Sequence, residues 1–214
     1  MLNDHWPLFG LSVRTPRLEL RLPAEAELAN LADVAATGVH EPGQHPFLVP
    51  WTDGSPAQRA REMLRAHWRR RGTWTTVDWA LDLAVFEAGR PVGMQQVWAK
   101  DFAVLREVRT GSWLGLAYQG RGIGREMRAA ALYLAFTGLG ASDAATASFM
   151  DNPVPLRISR DLGYEPDGVS RDVLHGRAVV SQRLRLTRAA WERSARPDVT
   201  VHGLEDCLEM FGVA

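Results

Sequence analysis

The six residues Gln119-Gly120-Arg121-Gly122-Ile123-Gly124 constrain this chain more than any other stretch. They follow a strand-like run and precede a strongly apolar helical one, so the chain turns from strand to helix with almost no side-chain bulk. A helix N-terminus leaves its first backbone N–H groups unpaired, and the aligned peptide dipoles place partial positive charge there. Stripped of side chains, such a terminus is a site for a phosphate or pyrophosphate. The bland reading of the same letters is a tight turn and nothing more. Two nucleotide-binding alternatives fail. A P-loop needs a Lys-Ser or Lys-Thr pair, absent here, and a dinucleotide fingerprint needs glycine where Arg125 stands. A dinucleotide fold also opens with its motif, whereas this one lies beyond residue 115.

The elements around the turn follow from periodicity. Leu18, Leu20 and Leu22 alternate with Arg17, Glu19 and Arg21, which predicts a half-buried strand over Val13 to Leu22. Helices are expected over Ala24 to Ala36 and, after the Ser55-Pro56 start signal, to about Arg71 with Met63, Leu64 and Trp68 inward. A long loop, His40 to Ser55, carries three prolines between them; loops of this length in compact domains are usually functional. Strands follow at Trp79 to Phe86, Pro91 to Trp98 and Val108 to Tyr118, then a helix over Ile123 to Gly138. A strand over Asp143 to Met150, a helix from Asn152-Pro153, and strands over Tyr164 to His175 and Ala178 to Leu186 complete the series. Hairpins mixed with strand-helix-strand crossovers predict an α/β fold of the α+β kind, a mixed and mostly antiparallel sheet of about seven strands with helices on both faces. The expected division is one domain over residues 1–190 and a C-terminal tail over 191–214.

Composition narrows the classes. At 214 residues the chain is long enough for one substantial domain. Its 25 basic and 25 acidic residues balance, which argues against a nucleic-acid footprint. The single cysteine, Cys207, excludes an internal disulfide framework and suits a reducing compartment. The longest apolar run, Ala129 to Phe136, is eight residues, too short to cross a bilayer, and the N-terminal letters show no leader pattern. A cytoplasmic protein is expected. The six histidines include no helical H-x-x-x-H pair and have no cysteine support, so no metal is expected.

The sequence resembles the GNAT superfamily of acyl-CoA-dependent N-acyltransferases, in the branch like the RimJ and RimL ribosomal-protein acetyltransferases. Gln119 to Gly124 matches the pyrophosphate motif Q/R-x-x-G-x-G/A. Gly111-Ser112-Trp113-Leu114-Gly115-Leu116 is similar to the family's fourth strand, Thr15 to Arg21 to its first, and Asn152 through Leu162-Gly163-Tyr164 to its N-x-x-S/A…LGF/LGY helix. His5 to Phe9 and Val49 to Thr52 also resemble an actinobacterial succinyl-CoA-using member.

The resemblance implies an acyl-CoA co-substrate, acetyl-CoA or succinyl-CoA. Its pantetheine arm would pair with the backbone of Leu114, Gly115 and Leu116, and its pyrophosphate would lie on Gln119, Gly120, Arg121, Gly122, Ile123, Gly124 and Arg125. Asn152, Arg157 and Arg160 are further candidate contacts to the co-substrate. The acceptor would be a primary amine on a protein N-terminus, a lysine or a small molecule; no membrane partner is implied, and a homodimer or higher homo-oligomer is expected. The amine attacks the thioester directly, so no nucleophile is needed, and Cys207 reads as a bystander.

Departures from the family pattern fall where acid–base groups often stand. The fourth-strand carboxylate position is Arg109, leaving Glu107 on the same strand face as the nearest base, or else as a solvated strand end. The helix serine position is Pro155, and the position of the tyrosine used by other branches is Ser159, either the leaving-group acid or a back-bonded helix serine. Arg109 is also the candidate for recognising the carboxylate of a succinyl group. A GNAT-fold sensor that binds acyl-CoA without efficient turnover is the rival reading. Trp51, Trp68, Trp74 and Trp79, with Phe47, are core packing or part of an acceptor cavity or subunit contact.

Overall fold

Alternating leucines commit the first segment to a sheet, but one proline divides it. In the computed structural model, which describes residues 2–194 and 198–213, the expected strand over Val13 to Leu22 is a hairpin. Its arms are β1 (Ser12–Arg14) and β2 (Leu18–Arg21), with Val13 opposite Leu20. Pro16 cannot donate to a ladder, so the chain turns there; Thr15 N–H donates to Leu18 O, and Leu18 N–H donates back to the Thr15 hydroxyl, each at 2.9 Å.

The remaining strands are β3 (Asp78–Glu87), β4 (Arg90–Lys100), β5 (Glu107–Leu114), β6 (Asp143–Phe149), β7 (Glu165–Leu174), β8 (Arg177–Thr187) and β9 (Thr200–His202). They form one nine-stranded sheet in the order β7-β8-β6-β5-β4-β3-β2-β1-β9, antiparallel throughout except for β5 and β6. The helices are α1 (Leu2–His5), α2 (Glu25–Thr37), α3 (Pro56–Gly72), α4 (Phe102–Leu105), α5 (Ile123–Tyr133), α6 (Pro153–Asp161) and α7 (Arg188–Arg193). The expected α/β class stands; the count rises from about seven strands to nine because of the first hairpin and β9.

Strand alternation splits the core into two layers. Ala84, Phe86, Met94 and Trp113 face α2 and α3, meeting Leu28, Leu31, Ala35 and Met63. Leu81, Leu83, Val97, Val108 and Leu114 face α5 and α6, meeting Ile123, Met127, Ala130 and Leu156. The start of α3 is fixed as expected by a capping box between Ser55 and Gln58 and by Pro56. Its buried side differs from expectation. Trp68 is 47% exposed, whereas His67, one residue earlier, is 1% exposed, with Nδ1 3.6 Å from the buried carboxylate of Asp82.

The C-terminal segment expected as a tail packs into the sheet. β9 adds antiparallel to β1, and a 3₁₀ turn, Glu205–Phe211, follows. Phe211 is 0% exposed, with its ring centroid 4.9 Å from that of Trp79, and Trp74 Nε1–H donates to Met210 O. Cys207 is buried here, and burial with Asp206 nearby pushes its thiol up to about 11, which suits a bystander. Phe211→Ala is expected to destabilise the fold by about 3–5 kcal/mol, the range for truncating a buried aromatic side chain. Urea unfolding measures it, and a loss under about 1 kcal/mol would mean that the segment does not belong to the core.

Candidate active site at the strand opening

Neighbouring strands β5 and β6 pair over only three residues, Glu107 to Arg109 against Asp143 to Ala145. Beyond that point β5 stays with β4 as far as Leu114, and β6 stays with β8 as far as Phe149, so the two diverge. The Thr146 hydroxyl donates to Thr110 O at 3.0 Å just past the last pair. Along β5 the backbone groups turn alternately to either neighbour. Thr110 O faces β6, which places the backbone groups of Ser112 and Leu114 toward the opening as well.

This alters the expected backbone contacts. Gly115 N–H is taken by Val92 O and Leu116 N–H by Gly38 O, both at 2.9 Å. Of the three residues expected to pair with a pantetheine arm, Leu114 alone turns to the opening, and Ser112 joins it. Gly115 has a different reason to be glycine: a Cβ there would lie 2.5 Å from Val34 Cγ1 of α2.

The glycine-rich turn lies beside the opening. Gly122 is the N-cap of α5, with φ of +80° and no side-chain cap, so a helix terminus stands uncovered where the sequence placed it. Gly124 packs between β5 and α6: its missing Cβ would be 3.7 Å from Leu114 Cδ1 and 3.6 Å from Ile158 Cδ1. The side chains of two residues of the turn are engaged within the protein. Gln119 Nε2 donates to Val39 O and Leu114 O, tying the turn to β5, and Arg121 forms an ion pair with Glu87 at 2.8 Å. Arg125, Arg157 and Arg160 are exposed. Asn152 is the N-cap of α6 but makes no side-chain cap bond, so capping does not account for its amide. Arg17 adds a cation at this end, bonded to the Arg121 carbonyl and, with Thr15, to Glu126 of α5.

The two candidate acid–base residues are both engaged. Glu107 lies at the closed end of the opening, its Oε2 held by Arg185 at 2.8 Å and its Oε1 3.7 Å from Arg109. Gly111 is four positions further on, about 13 Å along a strand. Ser159 is 1% exposed; its hydroxyl donates to Pro155 O and accepts from Arg128 Nη1, each at 2.8 Å. Its one proton is thereby committed to the helix backbone, the back-bonded alternative. Arg109 is 63% exposed along its side chain.

Sequence reasoning missed the group beneath the opening. Arg128, on α5, is buried with no carboxylate among its described contacts, and burial lowers its pKa. The buried Tyr164 phenol lies 3.4 Å from the Thr110 hydroxyl. Burial raises its pKa, opposed by the Arg128 charge and the Thr110 hydrogen bond, so the group stays protonated at neutral pH. Arg128 Nε and Gln95 Oε1 are buried without hydrogen-bond partners. The signal was present in part: an arginine within the apolar run that follows the glycine turn.

The sheet thus parts between two parallel strands beside an uncovered helix N-terminus. The chain belongs to the GNAT family, since the model of the Acetyltransferase (GNAT) domain matches residues 17–165. Solved structures share the fold. RimL, a ribosomal alpha-N-protein acetyltransferase in complex with coenzyme A, is similar at 16% identity and a TM-score of 0.64, over 81% of this chain and 95% of that one. A chimera of the spermidine N-acetyltransferase SpeG from Vibrio cholerae and hSSAT is similar at 16% identity and a TM-score of 0.62, over 83% of this chain and 99% of that one.

Ser159→Ala is expected to cost about 1–3 kcal/mol of stability, because a buried guanidinium loses its hydrogen-bond partner, and to leave kcat within twofold. Thermal melts and turnover with one accepted amine check both. A tenfold fall in kcat at unchanged stability would return Ser159 to the chemistry.

Proposed function

We propose that this chain transfers an acetyl or succinyl group from its CoA thioester to a primary amine by direct attack. The observation that carries this reading is the early end of β5–β6 pairing beside the uncapped start of α5. An extended pantetheine arm would replace the missing strand, taking the backbone groups of Ser112 and the N–H of Leu114, whose carbonyl Gln119 already holds. The pyrophosphate would meet the N–H groups that open α5, with Arg125, Arg157, Arg160 and the Asn152 amide as further candidates to serve its phosphates. The buried, unpartnered Arg128 Nε and Gln95 Oε1 are the polar atoms that a bound ligand would satisfy.

The thioester and the amine then react within one opening, which supplies most of what direct aminolysis needs: position and exclusion of water. The acceptor remains a protein N-terminus, a lysine or a small amine. A second reading, an acyl-CoA sensor without efficient turnover, is favoured by the engagement of both Glu107 and Ser159. Release of free CoA thiol in the presence of candidate amines separates the two readings.

CoA is expected to raise the melting temperature, since it binds the native state alone. Gly122→Asp is expected to abolish that rise, because a carboxylate would stand where the anion must come. Gly122→Ala carries only the backbone strain of a positive φ and is expected to keep most of it. Equal CoA affinity in wild type and Gly122→Asp would detach the loop from the co-substrate.

Arg109 supports the succinyl option. Its guanidinium lies on the strand face of Gly111 and competes only weakly for Glu107, which Arg185 already holds more closely. A charge-assisted contact to a free acyl carboxylate is worth about 1.5–3 kcal/mol, or roughly ten- to a hundredfold in selectivity. Arg109→Met is expected to lower kcat/KM for succinyl-CoA by at least tenfold and to spare acetyl-CoA. A succinyl preference left intact in the variant would exclude the role.

A further inference from the structure

His45, Asp53 and His175 meet at the surface although up to 130 residues of chain separate them. His45 Nδ1 lies 3.1 Å from Asp53 Oδ1, and His175 Nε2 lies 2.5 Å from Asp53 Oδ2. The two imidazole rings stand edge to face with centroids 4.8 Å apart. One carboxylate thus draws one nitrogen from each of two histidines, and the three ligand atoms all lie within 4.8 Å of one another. His175 holds this place from a left-handed turn residue, φ +51°, between β7 and β8, a conformation uncommon for any residue with a side chain.

We propose that His45 Nδ1, His175 Nε2 and one oxygen of Asp53 form a binding site for a divalent transition-metal ion of the zinc class. Two imidazoles and a carboxylate are the donor set such ions select, and a fourth position stays open for water. Tetrahedral zinc with bonds of about 2.0–2.2 Å sets its ligand atoms roughly 3.3 Å apart. The 3.1 Å between His45 Nδ1 and Asp53 Oδ1 is close to that value, and His175, which now meets the other carboxylate oxygen, re-orients to admit an ion, the three ligand atoms already lying within 4.8 Å of one another. Each neutral ring then presents its lone pair to the metal and carries its proton on the other nitrogen, Nε2 of His45 and Nδ1 of His175. No proton need be released and no redox change occurs.

The position gives the site a consequence. His45 and Asp53 belong to the loop between α2 and α3, which rests on the β5 bank through Trp51 and Trp113, centroids 5.5 Å apart. His175 belongs to the β7–β8 hairpin, which extends the β6 bank. The ion would strap one bank of the strand opening to the other. This inference concerns the loop and hairpin and does not depend on what the opening binds.

The test is titration of zinc into the full chain, stripped by chelator and free of CoA, against a competing chromophoric chelator, with thermal melts alongside. One equivalent per chain with micromolar or tighter affinity is expected, together with a rise in melting temperature. His45→Ala, Asp53→Asn and His175→Asn are each expected to weaken binding at least tenfold. Asparagine suits the left-handed turn, so the last variant keeps the hairpin. His202→Ala, on β9 and outside the cluster, is expected to bind as wild type. Absence of stoichiometric binding, or undiminished affinity in His175→Asn, would overturn the proposal.

Discussion

Three residue pairs hold β5 to β6, and the sheet must then survive the loss of every backbone hydrogen bond that a longer pairing would have made. A buried backbone group without a partner costs about as much as a lost hydrogen bond. The chain meets this with side chains: the Thr146 hydroxyl serves Thr110 O, and the Gln119 amide serves Leu114 O. The closed end is held by charge instead. Arg185 on β8 reaches Glu107 of β5, Asp143 of β6 and Asp167 of β7. Its pKa is raised chiefly by the Glu107 hydrogen bond. The opening therefore begins at a fixed place, with a clamp on one side and substitute donors along the other.

The same opening explains the buried cation. Arg128 lies under it with Ser159 as its described hydrogen-bond partner and with Tyr164 close enough for its charge to act. A buried charge without an opposite charge is costly, and the usual response is a shift toward the neutral form. Burial lowers the Arg128 pKa, but a guanidinium stays charged and so bears the cost. An arrangement of this kind is hard to explain as a device for stability alone, since an apolar residue of similar volume would pack there without that cost.

The aromatic residues divide by place rather than by type. Trp74, Trp79 and Phe211 join the C-terminal segment to β3, so the last strand and turn complete one core. Phe47, Trp51 and Trp113 form a separate chain that rests the long loop on β5. Trp68 belongs to neither and is exposed. Hydrophobic payload alone does not separate these roles, because an indole satisfies a core, a loop anchor or a surface equally well in sequence.

Local patterns determined a good deal. Period-two leucines, the Ser55-Pro56-Gln58 start, and glycines 120, 122 and 124 each act within a few residues, where propensity and capping geometry operate without help from distant chain. The strand-to-helix turn with its uncovered terminus was legible for that reason, as was the α/β class. Tertiary structure decided what depends on which segments meet. Pairing of β5 with β6 is a contact across 36 residues, and its early end leaves the backbone of Ser112 turned to the opening. The engagement of Glu107 by Arg185 across 78 residues, the back-bonded Ser159 under Arg128, and the meeting of Asp53 with His175 across 122 residues have no local signature. Such contacts are set by sheet order and register, and those follow from burying two faces of one sheet at once rather than from the preferences of any short segment.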